Sequence, residues 1–350
     1  MKNYKVGSGL FCLFCLSLFS SCEHRVETKT IVREDGSLDK TIILFTKQSK
    51  QETKNYFGIG AEQGWEVSVD STQSTTTSKE DSSKSKSEVK YTYSFSKSFQ
   101  SADVSNDELA TQSDSLFRLT SKFEKKFRWF YTTYYYSDTY HAINRFKLSA
   151  NDYLTEVDFQ FIDNLPAEGN PITKADSLFL NKLNERIFDH YANRAYFEEY
   201  FQLLIGLANA AQKEKLLKHQ ESIYKLLFEK DSKLDNDPWP SLLDSLGIGI
   251  NVSSAEYRTR KAWAESKFNF MSWASEGKYR HTIVLDGQIV KHNADSVAGN
   301  EFYWKPSYLK FAFKDYTFFA ETKKPNIAAW FASILVLLAV AWGLRRKIWK

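Results

Sequence analysis

Cysteine is almost absent from this 350-residue chain, and the three that occur, Cys12, Cys15 and Cys22, all fall within its first 22 residues. Beyond Cys22 there can be no disulfide, no thiolate nucleophile and no cysteine-ligated metal. Glycine (14) and proline (6) are sparse, which excludes a collagen-like or low-complexity chain. With 42% hydrophobic and 26% charged residues, the composition is that of a folded protein. A basic excess is also missing from the body of the chain. The net charge is +4, but Lys2 and Lys5 precede the first apolar run and Arg345, Arg346, Lys347 and Lys350 follow the last, leaving −2 between them. A slightly acidic body offers no patch for nucleic acid, and no nucleic-acid partner is expected.

Motifs of catalysis are equally scarce. The histidines His24, His141, His190, His219, His281 and His292 include no H-E-x-x-H and no pair within one helical turn, so no metal site is expected. His190, beside the Ile187–Tyr191 helical face, reads as a core-edge residue. Residues 57–64, Phe-Gly-Ile-Gly-Ala-Glu-Gln-Gly, are spaced G-x-G-x-x-x-G, follow no hydrophobic strand and open no helix. That context fits a plain turn, and no dinucleotide or other cofactor is expected. There is no G-x-S-x-G elbow. Ser-x-x-Lys occurs at Ser87/Lys90, Ser94/Lys97 and Ser307/Lys310, as the abundance of both residues produces by chance. No catalytic or cofactor-binding residue is assigned. Paired glycosidase carboxylates leave no local signature, so a hydrolase using scattered Asp and Glu stays open as the alternative.

Long apolar runs occur only at the two ends. Lys2 and Lys5 lead into the apolar stretch Gly9–Phe19, too short to span a bilayer, and residues 1–21 read as a signal peptide. The stretch ends in Leu18, Phe19, Ser20, Ser21 and Cys22, which resembles a bacterial lipobox, with Phe19 standing where that pattern favours Leu. The resemblance implies acylation of Cys22, with palmitate among the expected chains, and Cys22 as the mature N-terminus. At the other end, Ile327–Leu344 carries no charge and rises about 27 Å as a helix, close to the hydrocarbon thickness of a membrane. We assign residues 326–344 to a transmembrane helix. The basic tail, 345–350, is denser in charge than Lys323 and Lys324 on the other side, which puts it in the cytoplasm. A single-pass protein of the bacterial inner membrane with a periplasm-facing domain is the expectation, the membrane being its first partner and an envelope protein a second. Read as a eukaryotic type I protein instead, the chain would carry a glycan site at Asn251-Val-Ser253; the lipobox argues against that.

Between the ends, residues 22–325 read as one exported domain. Thr28–Phe45 forms two alternating runs around Asp35 and Gly36, a hairpin signal. Residues 65–69 alternate as a strand. Residues 71–87 are almost all Ser, Thr, Lys, Asp and Glu, which predicts a mobile loop. Further strands are predicted at Val89–Phe99 and, from aromatic content, as one long strand over Phe123–Tyr136. Residues 173–246 turn helical, opening on a capping box at Thr173/Asp176 and closing near Gly247, and Ser254–Phe268 fits one more helix. Strands return at Tyr279–Leu285, Gln288–Lys291 across a turn at Asp286 and Gly287, Glu301–Lys305 and Phe311–Glu321. The fold class is therefore α+β: a mostly antiparallel sheet from the N- and C-terminal segments, with a helical insertion. A lipobox, an opening hairpin, β-rich C-terminal residues and a membrane helix together resemble the layout of LppM-like bacterial lipoproteins. That resemblance implies topology and no activity.

The aromatic strand puts rings on both faces, which suits stacking on sugars or contact with lipid headgroups as well as core packing. A non-catalytic interaction or ligand-binding module at the outer membrane face is the expected function. Short linkers at Cys22 and after Glu321 predict that both ends of the domain lie near one bilayer surface, with the opening hairpin pairing to the last strand directly or through one intervening strand.

Overall fold

A computed structural model describes residues 24–47, 56–77, 85–111, 116–228 and 239–348. Cys22, residues 1–21, read above as a signal peptide, and residues 78–84 of the Ser/Thr-rich stretch lie outside the described residues. The chain is α+β and divides into two compact units: one of residues 142–277 with 308–313, the other of 24–141, 278–307 and 314–350.

The β unit is built on alternation. β1 (Arg25–Val32) and β2 (Leu38–Thr46) bury every second side chain and pair antiparallel from Arg25↔Phe45 to Val32↔Leu38. The turn between them closes at Gly36, whose φ of 91° and whose approach to the Phe123 ring both favour a residue without Cβ. β3 (Glu66–Thr77) and β4 (Ser85–Phe99) extend this sheet, and residues 71–77 and 85–87 are therefore strand rather than mobile loop. The expectation from composition fails because the two polar segments satisfy one another's backbone groups in register, from Glu66↔Ser96 to Thr77↔Ser85. Across the helical insertion, β7 (Lys278–Leu285) joins the sheet by pairing parallel to β1. β10 (Glu301–Trp304) and β9 (Ser296–Ala298) complete the order β3-β4-β2-β1-β7-β10-β9.

A second, four-stranded sheet has the order β5-β6-β11-β8, all antiparallel. β5 (Leu119–Phe127) and β6 (Tyr131–Tyr140) split the predicted strand Phe123–Tyr136 in two. The turn at 128–130 contains no Gly, Pro, Asn or Asp to announce it, and closes by a 2.8 Å bond from the Arg128 N–H to the Tyr131 carbonyl. β11 (Tyr316–Pro325) begins later than the predicted Phe311–Glu321, because Tyr308–Phe311 forms a 3-10 turn first. The predicted turn at Asp286 and Gly287 is a corner between sheets: β7 stays in the first sheet and β8 (Gln288–His292) enters the second.

The expected pairing of the N-terminal hairpin with the last strand does not occur. Hairpin and last strand lie in different sheets, stacked face to face, with Thr30 bonded to Asp138, the register partner of Phe318. Strand direction separates the two ends of the β unit along the strands. Thr28 bonds Tyr140, Thr30 bonds Asp138 and Tyr134 bonds Glu34, so β1 runs from the Tyr140 end of β6 toward its Tyr131 end. Pro325 pairs with Tyr131, about 30 Å from the Tyr140 end where β1 begins. α1 (Ala102–Leu109), capped by Ser101, covers the second sheet through paired bonds between Asn106 and Ser121.

The α unit contains α2 (Glu156–Asp163), α3 (Lys174–Glu185), α4 (Asn193–Leu207), α5 (Ala210–Phe228), α6 (Trp239–Ser245) and α7 (Ala255–Glu276). The helical region is thus wider than the predicted 173–246. Thr173 caps α3 through the Asp176 N–H as expected, and Gly247 with φ 62° follows α6. Thr155 and Asp158 form a full capping box on α2. A π-helical turn, Arg186–Ala192, joins α3 to α4 and leaves His190 exposed rather than at a core edge, because the wider winding rotates it out while Ile187 and Tyr191 stay buried. The core stacks Tyr200 on Trp239 and gathers Phe197, Phe201, Leu204, Leu216, Ile223 and Tyr257.

After Asn326 comes α8 (Ile327–Ile348), the one described helix long and apolar enough to cross a membrane, with none of its apolar stretch buried in protein.

Candidate functional site

The strands that alternate into the sandwich carry polar residues at positions where apolar ones are the rule. β1 contributes Thr28 and Thr30, β2 contributes Lys40 between Leu38 and Ile42, β5 contributes Ser121, β6 contributes Tyr136, Asp138 and Tyr140, and β7 contributes His281. All are buried, Asp138 completely so. They converge on the Asp138 carboxylate. Lys40 Nζ donates to its Oδ1 at 2.8 Å, Tyr136 at 2.7 Å and Ser121 at 2.6 Å, while Thr30 donates to Oδ2 at 2.9 Å. Lys40 Nζ also reaches Thr30 Oγ1 and the Tyr136 hydroxyl, each at 3.0 Å. His281 Nε2 lies 3.2 Å from Oδ2, and its Nδ1 faces Thr28 Oγ1 and the Tyr140 hydroxyl, stacked beneath Phe318.

Burial alone would raise the Asp138 pKa, but the Lys40 charge and the donors around the carboxylate outweigh it and hold Asp138 far below the usual carboxylate range. Burial lowers Lys40, with Asp138 opposing. Burial also lowers His281 below its ordinary value against the pull of Asp138. At neutral pH the centre is a Lys40–Asp138 ion pair beside an uncharged imidazole. The order Thr28, His281, Asp138 has the parts of a hydroxyl–imidazole–carboxylate relay. Every member is buried between the sheets, and the depression among Lys122, Glu124, Lys126, Thr133, Tyr135 and Glu321 opens on the opposite face of the second sheet. The geometry locks the two sheets in register.

That opposite face is the other candidate. On β6 the rings alternate, Tyr134, Tyr136 and Tyr140 inward and Tyr131 and Tyr135 outward, so the rings lie on both faces. Tyr135 stacks on Phe319, with Lys291 over Phe319 and Lys323 over Tyr131. Beside them the Lys122 and Lys126 ammonium groups pull Glu124 down to about 2. This face offers cations and flat apolar rings, the two features that suit a sugar or a headgroup.

The third feature is the tip of the β5–β6 hairpin. Phe127, Trp129, Phe130 and Tyr131 are 67%, 56%, 42% and 42% exposed. The tip leans on the start of α8: Phe130 meets the Trp330 ring at 4.6 Å, and the Trp129 indole N–H donates to Ser333 Oγ at 2.8 Å.

Among the described residues no cluster of His, Cys, Asp and Glu could hold a metal ion. The G-x-G-x-x-x-G stretch is a turn around a 3-10 segment, Ala61–Gln63, with bonds from Gln63 and Trp65 back to the Gly60 carbonyl. The buried centre and the tip were both missed by motif reading. The signal for the first is the parity of Lys40, Asp138 and His281 within otherwise uncharged alternation; for the second there is none, because the run reads as unbroken strand.

No family model matches this chain, and no curated protein matches it. A similar solved structure is the NMR structure of the folded domain of LppM from Mycobacterium tuberculosis, covering 88% of this chain and 94% of that one at 8% identity and a TM-score of 0.26, a likeness from which no residue role is carried over.

Proposed function

We propose that the protein is a single-pass envelope lipoprotein of the bacterial inner membrane, whose exported β and α units form a non-catalytic interaction or ligand-binding module at the outer membrane surface. The observation that carries this reading is α8: its uncharged stretch Ile327–Leu344 is of membrane length, unburied, and held by hydrogen bonds to an exposed aromatic hairpin. Acylation of Cys22 supplies a second anchor, and the outward face of the second sheet supplies the ligand surface. The buried state of the Thr28–His281–Asp138 centre favours this over a hydrolase. Because β1 begins about 30 Å from the end that leads into α8, two anchors in one bilayer require the sandwich to lean toward the surface.

Topology labelling in spheroplasts tests the reading. An impermeant thiol reagent should reach Ser71→Cys from outside and should not reach Lys350→Cys until the membrane is opened; outside labelling of Lys350→Cys overturns it. In the same strain, Cys22→Ala should retain the leader and migrate as a larger protein that is still membrane-bound. Equal mobility would remove the lipidation.

A further inference from the structure

The hairpin tip satisfies its turn carbonyls internally and exposes four aromatic rings around a single cation, Arg128. The Asn326 N–H donates to the Phe130 carbonyl at 2.9 Å, and its side-chain amide donates to the Arg128 carbonyl at 2.5 Å and the Trp129 carbonyl at 3.3 Å. The Trp330 indole N–H adds a second bond to the Phe130 carbonyl at 3.2 Å. Thr132 Oγ1 closes on Asn326 Oδ1 at 2.8 Å, and Ser333, which receives the Trp129 indole N–H, passes its own hydroxyl back to the Ala329 carbonyl. Three consecutive carbonyls of a turn and two indole N–H groups are thus satisfied without water. Irregular backbone is tolerated at membrane depth only where its polar groups find such partners. What faces outward is Phe127, Trp129, Phe130 and Tyr131, with the one exposed cation Arg128 among them, whose long stem lets its charge reach back to the headgroups, and Ile327 and Phe331 of α8 are exposed as well.

The length of α8 fixes the depth. Ser333 lies six residues beyond Ile327, about 9 Å along the helix axis, so the Trp129 ring stands beside the second helical turn. Were the bilayer to begin only beyond Ser333, the uncharged remainder Ile334–Leu344 would rise about 16 Å, roughly half of the hydrocarbon thickness. All of Ile327–Leu344 is needed to cross, and the hairpin beside its first two turns must then enter the same leaflet.

We infer that the tip Phe127–Tyr131 is a lipid-inserted aromatic wedge, a membrane contact separate from α8 and from any acyl chain, seated at the headgroup–acyl boundary where Trp and Tyr are favoured. Its partner is the lipid surface itself. By gripping α8 and the bilayer together, the wedge sets the tilt of the β unit. The inference rests on the reading of α8 as a membrane span, and the test separates the two.

Full-length protein with Cys12, Cys15 and Cys22 replaced by Ala is reconstituted into phospholipid vesicles and spin-labelled at one of three single sites: Phe130→Cys, Leu337→Cys in α8, or Ser68→Cys on exposed β3. Collision with oxygen against a water-soluble nickel chelate reads depth. Oxygen-dominated relaxation at both Phe130→Cys and Leu337→Cys, with chelate-dominated relaxation at Ser68→Cys, supports the wedge. A lipid-exposed Leu337→Cys with a water-exposed Phe130→Cys overturns the wedge and leaves the span intact; a water-exposed Leu337→Cys overturns both. As a check free of labels, Trp129→Phe should remove about a third of the tryptophan emission quenched by bromolipids, since Trp330 and Trp342 supply the rest. Unchanged quenchable emission also overturns the wedge.

Discussion

Removing Lys40 should cost the β unit far more than removing Lys40 and the Asp138 charge together. In Lys40→Met the Asp138 carboxylate stays fully buried and loses its lysine partner, keeping hydroxyl bonds from Thr30, Ser121 and Tyr136. Breaking a buried pair from one side costs about 3–5 kcal/mol. For a cooperative unit of this size, each kcal/mol moves the melting temperature about 2–4 °C, so a drop of about 6–20 °C is expected. Asp138→Asn alone strands the ammonium of Lys40, whose pKa burial already lowers, and should fall in the same range or slightly below it, since a lysine can shed its proton. The double variant carries no buried charge. Its amide can still accept from Ser121 and Tyr136, so the double variant should lose less than either single one, and the cycle should return a coupling larger than either single loss. The measurement is chemical and thermal unfolding of the full chain in micelles, followed by near-ultraviolet circular dichroism of the buried tyrosines. Single variants losing less than about 1 kcal/mol, or a double variant losing the full sum, would refute the account of the centre as an interlocked pair.

The same centre makes stability depend on pH. His281 is held below its ordinary 6.5 in the fold, so below that pH the unfolded chain binds a proton that the folded one refuses, and stability falls with acid from about pH 6.5 downward; His281→Gln should flatten that part of the profile, and an unchanged profile would count against the buried neutral imidazole. In the α unit, the Tyr191 hydroxyl accepts from Asn144 Nδ2 at 2.6 Å and donates to the Leu148 carbonyl at 3.0 Å. Tyr191→Phe should therefore destabilise by about 1–3 kcal/mol in urea melts, and a loss below about 0.5 kcal/mol would show that water replaces both bonds.

Much of the fold is legible from local chemistry. Alternation around Asp35 and Gly36 gives the first hairpin, Thr173 and Ser254 mark helix starts, and the uncharged run from Ile327 gives α8. What resists reading is pairing at a distance. Nothing near Asp286 says that the chain changes sheets there; only the second sheet explains why Gly287, with φ 125°, meets the Lys323 carbonyl 3.0 Å from where a Cβ would stand. Nor do the Ser and Thr residues of 71–77 look like a strand until β4 lies beside them. The buried centre is half legible. Lys40 and Asp138 sit at inward parity on strands whose other inward residues are uncharged, which marks them as unusual, but their meeting depends on the stacking of two sheets.

The direction of β1 has a mechanical consequence. The chain enters the sandwich at one end of the strand stack, through β1, and leaves at the other, through β11 into α8. Tension between an attachment ahead of His24 and α8 would therefore act along the strands rather than across them. The eight register pairs of β1 with β7 and the ten of β11 with β6 are loaded together, in shear, and cannot open one at a time from an end as a peeled hairpin would. Sliding one sheet past the other would also drag Lys40 off Asp138 in the dry interior. The unit is thus built to transmit pull between its two ends without unravelling, stiff along one axis and comparatively easy to peel along the other.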